Sequence, residues 1–192
     1  MAESSLKKVE MFRSDLDNIP EYDFPSEFYV ELFKPGYEKT WIEIQAEADK
    51  HNVFDMDRFR NAFINDYESL AKRQYYMFTR QSQPIGTATA WYANNEPNGN
   101  CGLVHWVGIL PEFQGRGLAK PLLTLVLTRL KQLGHRSASL KTATIRLPAI
   151  NLYLQFGFVP VVNRSEEKRY WQEVKSAFER KNLDASAIKL GD

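Results

Sequence analysis

Apolar residues along the chain recur with two different periods, and each change of period marks an element. Glu27 to Phe33 alternates well enough for a first strand, ended by Pro35-Gly36. Trp41, Ile44, Gln45 and Ala48 then recur at helical spacing. Phe54, Arg58, Phe59, Ala62, Phe63 and Tyr67 predict a second helix, with Asp55 as its cap. Tyr75 to Thr79 reads as a strand, Gln83-Pro84 as a turn, and Ile85 to Tyr92 as the returning strand of a hairpin. Asn94 to Asn100, rich in Asn, Pro and Gly, reads as a loop. The most apolar strand follows: Leu103, Val104, Trp106, Val107, Ile109 and Leu110 form a β-branched and aromatic run that Pro111 ends.

Beyond Pro111 lies Gln114-Gly115-Arg116-Gly117-Leu118-Ala119, and then a Leu-rich run to Leu130 that predicts a mostly buried helix. Pro121 sets its register. A proline lacks an amide hydrogen and is tolerated only near a helix start, so this helix begins within the glycine turn. Ser137 to Thr142 predicts another strand, Ala149 to Phe156 a short helix with Pro148 in its first turn, and Gly157 to Val162 a final strand. Ser165 to Lys181 is amphipathic, with Trp171, Val174 and Phe178 on one face. That face would cover the edge of the sheet, or else meet a second copy in a homodimer. Met1 to Pro25 is polar, broken by Pro20 and Pro25, and reads as an arm laid over the domain.

Composition narrows the classes. A chain of 192 residues holds one domain with a sizeable core. Lys plus Arg number 25 against 24 Asp plus Glu, so net charge implies neither a nucleic-acid nor an acidic-membrane partner. No apolar run approaches the roughly 20 residues of a membrane span. Cys101 is the single cysteine, which excludes an internal disulfide; with no signal-peptide pattern, a cytoplasmic protein is expected. No metal site is expected either.

Strand, glycine turn and helix start together make a place for phosphate, because small residues expose backbone amides and the helix dipole favours negative charge. The turn is not a Rossmann fingerprint, lacking the third glycine, nor a Walker loop, lacking Gly-Lys-Ser/Thr. Gln114, Gly117 and Ala119 instead resemble the acetyl-coenzyme A signature Gln/Arg-x-x-Gly-x-Gly/Ala of the GCN5-related N-acetyltransferase (GNAT) superfamily. A second stretch, Arg146 to Phe158, resembles that superfamily's Asn-x-x-Ala-x-x-x-Tyr-x-x-x-Gly-Phe: Ala149, Tyr153, Gly157 and Phe158 fall at matching spacing, with Arg146 where asparagine is usual. The order of elements resembles it too. The resemblance implies an α/β fold, a mixed, mostly antiparallel sheet with helices on both faces. It also implies an organisation of an arm over 1–25, an acetyltransferase domain over 26–164, and a C-terminal helix and tail over 165–192.

The activity so implied is direct acetyl transfer from acetyl-CoA to an amine, carried by a small molecule or a peptide. Amides of Gly115, Arg116, Gly117, Leu118 and Ala119 would hold the diphosphate, with Gln114 in the motif. The Arg116 side chain would reach a phosphate or stay solvated, and Arg146 would reach a phosphate in place of the usual amide contact. The pantetheine arm would pair along Val107, Gly108 and Ile109, with Gly108 easing a bulge or a close approach. Tyr153, at the superfamily's tyrosine position, would protonate the leaving thiolate. Alternation places His105 on the face of Val107 and Ile109, as base for the amine, with Glu43 or Glu31 acting through water as competitors. Tyr29, Phe33, Trp41, Phe54, Phe59 and Tyr75 are pocket or core. A coenzyme A-binding sensor without turnover is the alternative function, and an unrelated nucleotide-binding protein a third.

Overall fold

A computed structural model of the chain describes residues 6–95 and 99–190. Residues 1–5 of the expected arm, part of the expected 94–100 loop and the last two residues lie outside the described residues. The elements run β1 Lys8–Arg13, β2 Phe28–Leu32, α1 Tyr37–Ala48, α2 Met56–Ala62, α3 Tyr67–Arg73, β3 Gln74–Thr79, β4 Pro84–Tyr92 and β5 Cys101–Ile109. They continue with α4 Ala119–Gln132, β6 Ser137–Ala143, α5 Leu147–Gln155, β7 Val159–Pro160 and α6 Ser165–Arg180. The seven strands form one sheet in the order β2-β3-β4-β5-β6-β1-β7. Every neighbouring pair is antiparallel except β5 with β6. The expected α/β class and mixed, mostly antiparallel sheet are what the structure shows.

Three elements differ from expectation. The segment read as an arm supplies β1, which pairs with β6 over all six residues and with β7. Its alternation, Val9, Met11 and Arg13 inward against Lys8, Glu10 and Phe12 outward, is the strand pattern hidden in a polar stretch. Only the following residues drape over the domain, where Thr124 Oγ1 donates to the Pro20 carbonyl at 2.7 Å. The expected second helix is two short helices. Ile64 and Asn65 take left-handed backbone (φ 46° and 57°), and Asp66 then starts α3 by accepting from the Ser69 amide at 2.9 Å. The final strand shrinks to two residues at the sheet edge, with the Val161 amide donating to the Glu10 carbonyl at 3.0 Å just beyond them.

Two cores flank the sheet. Under α4, α5 and α6 the packing is mainly aliphatic, built from Leu122, Leu123, Val126, Leu127, Leu130, Val104 and Ile109 with Tyr153, Trp171 and Phe178. Under α1, α2 and α3 it is aromatic: Phe33, Trp41, Phe54, Phe59, Phe63, Tyr76, Trp91 and Tyr92. The apolar face of α6 is therefore buried within the chain and is not available to a second copy. Phe33, Trp41, Phe54 and Phe59, left open between pocket and core, are core.

Candidate functional site

Residues after Ile109 make the glycine turn. A single turn of 3-10 helix over Pro111–Phe113 leads into it, and Gln114 Nε2 donates to the Ile109 carbonyl at 2.8 Å, pinning the turn to the end of β5. Gly115 and Gly117 both adopt left-handed backbone, φ 75° and 79°, and a β-carbon at either would meet nothing within 4 Å. The glycines are there for backbone conformation, and their amides stand open at the surface. Leu118 is the N-cap of α4 and is buried, so the helix enters the core one residue after the turn. Arg116 lies with its guanidinium 4.8 Å from the Phe113 ring centre, beside the turn.

Beside this turn the sheet opens. β5 and β6 pair only at Cys101–Ser137, Gly102–Ala138 and Leu103–Ser139. From Val104 onward the two strands have no mutual register, so the edge of β5 that faces β6 is left without a strand partner. On its other side β5 pairs with β4, but the register slips: Thr89 opposes His105 while Thr87 opposes Gly108. One extra residue is accommodated there, and Trp106 takes φ 50°. Left-handed backbone at a bulky residue is strained, and tertiary contacts hold it. Gln45 Nε2 of α1 donates to the Trp106 carbonyl at 2.8 Å.

The bulge overturns the alternation expected for His105. It puts His105 with Leu103 and Trp106 on the aromatic side, its ring 5.7 Å from Phe63, while Val107 and Ile109 pack into the aliphatic side. The imidazole donates to the Ala62 carbonyl, and burial pushes its pKa down to about 4. The competing carboxylates face elsewhere. Glu31 accepts from Lys34 Nζ at 2.7 Å and from the Tyr37 hydroxyl at 2.8 Å, and these bonds hold its carboxyl below the usual range. Glu43 is exposed on the outer side of α1.

Helix α5 follows closely on the end of β6. Pro148 occupies its first turn, and Arg146 is its N-cap. Tyr153 lies two turns on from Arg146, on the same side of the helix, 9% exposed and 6.0 Å from the Phe158 ring. Burial raises its hydroxyl to about 12, against a smaller opposing pull from the Arg146 charge. The hydroxyl makes no hydrogen bond among the described residues and stays protonated near neutrality, as a donor must. Arg146 does not reach toward the glycine turn: its Nη2 lies 2.6 Å from Asp49 Oδ2, at the end of α1. Burial would raise the Asp49 carboxyl, but donors from Asn52, the His51 amide and Arg146 together hold it below the usual range.

The glycine turn thus continues from the end of β5, whose edge beyond Leu103 has no strand partner, and Tyr153 packs with Ile109 on the aliphatic side, whereas His105 lies on the aromatic side. Gln45, Asp49 and the Trp106 bulge were missed in the sequence. A polar residue at a buried helical position was the signal available for Gln45. An open turn ahead of a helix start, beside two parallel strands that splay, is the arrangement of an acyl-CoA-dependent transferase fold.

The comparisons agree. Residues 25–158 match the model of the acetyltransferase (GNAT) family, and the chain belongs to that family. It is similar to a mycothiol acetyltransferase from Pseudarthrobacter chlorophenolicus, 26% identical over 168 residues that make up 80% of this chain and 49% of that protein. It is also similar to N-acetyltransferase 8B from Rattus norvegicus, 27% identical over 54% of this chain and 46% of that one. Among solved structures, a GCN5-related N-acetyltransferase from Sphaerobacter thermophilus shares the fold, with a TM-score of 0.67 at 21% identity, over 81% of this chain and 49% of that chain. The chain spans about half the length of the curated relatives it matches. No helix among the described residues is long and apolar enough to cross a membrane.

Proposed function

We propose that this chain transfers the acetyl group of acetyl-CoA directly to an amine. The observation that carries the reading is the opening of the β5–β6 pair after Leu103 and Ser139 next to the uncovered amides of the glycine turn. The residues fit the coenzyme in two respects. Nothing stands within 4 Å of where side chains at Gly115 and Gly117 would lie, which leaves room for a diphosphate against the amides of 115–119. The unpartnered edge of β5 at Val107, Gly108 and Ile109 suits an amide-rich arm that pairs as a peptide does. An amide of the bulged stretch, aimed at the thioester carbonyl, would stabilise the charge developing on it by about 3 kcal/mol.

Tyr153 is the donor to the departing thiolate in this reading, its buried hydroxyl kept neutral by its surroundings. His105 is not the base: it faces the aromatic cluster and is about three pH units too weak for the task. With Glu31 and Glu43 also turned away, the acceptor amine enters neutral and its proton passes to water. For an alkylamine of pKa about 10.4, presenting the neutral form at pH 7 costs roughly 4–5 kcal/mol. The acceptor is an amine, carried by a small molecule or a peptide.

The test is a thermal-shift and free-thiol assay with acetyl-CoA over a panel of amines. Stabilisation by coenzyme A and thiol release with at least one amine are expected, with kcat/KM rising about tenfold per pH unit below the acceptor's own pKa. Stabilisation without thiol release for any amine would make the chain a sensor instead, and stabilisation by ATP alone would remove the coenzyme from the account.

A further inference from the structure

Helix α1 and its C-cap bury two polar side chains four residues apart, Gln45 (3% exposed) within the helix and Asp49 (6% exposed) at the cap, beside the apolar Trp41 and Ile44. Burying an amide or a carboxylate is costly unless each finds a partner, and the two find theirs on different elements, β5 and the start of α5, which form the two walls of the proposed slot. Gln45 bonds to the carbonyl of Trp106, the left-handed residue inside β5. The approach is so close that a β-carbon at Gly108 would sit 2.9 Å from Gln45 Nε2, which gives Gly108 its reason. Asp49 meets Arg146, the first residue of the wall that carries Tyr153. The Asp49 carboxylate already accepts from the His51 amide at 3.0 Å and from Asn52 Nδ2 at 2.6 Å, so the loop after α1 is held without Arg146. The ion pair reaches across the opening instead.

We propose that Gln45 and Asp49 are positioning residues that hold the two walls of the slot in register. Gln45 fixes the bulge, and so the direction of the amides at Val107 and Gly108. Asp49 acts through Arg146, fixing the start of α5 and with it the Tyr153 hydroxyl two turns on. This rests on the reading that the thioester lies between those walls. It explains why arginine stands where the superfamily's motif has asparagine: only a long cation spans to the acid on α1.

The experiment compares Gln45→Met, Asp49→Asn and Arg146→Gln with the parent chain. Each is expected to lower kcat about tenfold or more, while KM for acetyl-CoA and the thermal shift with coenzyme A stay within about twofold. Asp49→Asn with Arg146→Gln in one chain should be no slower than the slower single variant, whereas Gln45→Met with Asp49→Asn should multiply. Arg146→Lys, which keeps a cation, should recover part of the rate. Variants that melt earlier but turn over at the parent rate while folded would overturn the proposal. Should the parent chain acetylate no amine, the proposed function falls and hydrogen exchange decides the clamp separately. Amides of 106–109 in Gln45→Met and of 149–153 in Asp49→Asn are then expected to exchange about tenfold faster, with those of β2 and β3 unchanged. Unchanged exchange at both walls would sink it.

Discussion

The two faces of the sheet are built differently. Under α4 and α5 the core is aliphatic, its helices are long or opened by proline, and the elements follow the apolar periodicity closely. Under α1 to α3 it is aromatic, two of its three helices are only seven residues long, and buried polar groups such as Gln45, Asp49 and Arg73 thread through it. The first face meets the turn that would hold a diphosphate, since Leu118 at the end of that turn is buried in it. The second face borders where an acceptor would enter. The turn rests on local backbone conformation, whereas the bulge and the start of α5 rest on long-range contacts made by Gln45 and Asp49.

The largest effect expected on this contrast is at the junction of the faces. Tyr153→Phe should lower kcat by roughly 10²- to 10⁴-fold with coenzyme affinity nearly intact, measured by thiol release and thermal shift; an unaltered kcat would remove the acid. Next, Trp41→Ala empties a fully buried site that meets Phe54, Phe59, Phe63 and Trp106 edge-on. A loss of about 3–5 kcal/mol in denaturant unfolding is expected. Leu127→Ala on the aliphatic side should cost about 2–5 kcal/mol without touching kcat in the folded fraction. If the two variants alter kcat equally, the faces do not differ in their role.

Gly117→Ala forces a side chain onto φ 79°, a cost of about 1–2 kcal/mol that falls on the turn alone because the surrounding space is open. Coenzyme A affinity should drop about tenfold by calorimetry, with little change in the rate at saturation. The smallest effect is expected at His105. Its pKa lies below the ordinary 6.5, at about 4, so the unfolded chain takes up the proton first as pH falls. The contribution to stability is complete above pH 6.5 and is lost on the way to pH 4. His135 shifts in the same direction, so the comparison is with His105→Gln, which keeps a donor for Ala62. That variant should lose less stability between pH 7 and pH 4.5 than the parent, with the acidic limb of the rate profile unchanged.

Particular residues show how far the sequence carried. Pro121 and the glycines placed α4, because a missing amide and positive φ are local demands that any tertiary structure must honour. Asp66 and Asn65 carried a legible second cap and break, which the continuing apolar pattern from Phe54 to Tyr67 masked. The strand of Lys8–Arg13 was obscured by its polar outward face, since half of a sheet residue pattern reports solvent rather than core.

Local sequence alone determined the glycine turn, the helix it opens, the position of Tyr153 on α5 and the family. Each depends on backbone conformations or periodicities a few residues long. Tertiary structure alone decided the face of His105 and the partners of Gln45 and Arg146. A single inserted residue at Trp106 reverses every side chain beyond it, and no local rule announces where a strand takes in that residue. Whether Arg146 finds a phosphate or Asp49 is settled across nearly a hundred positions of chain, by which helix the fold lays over the opening.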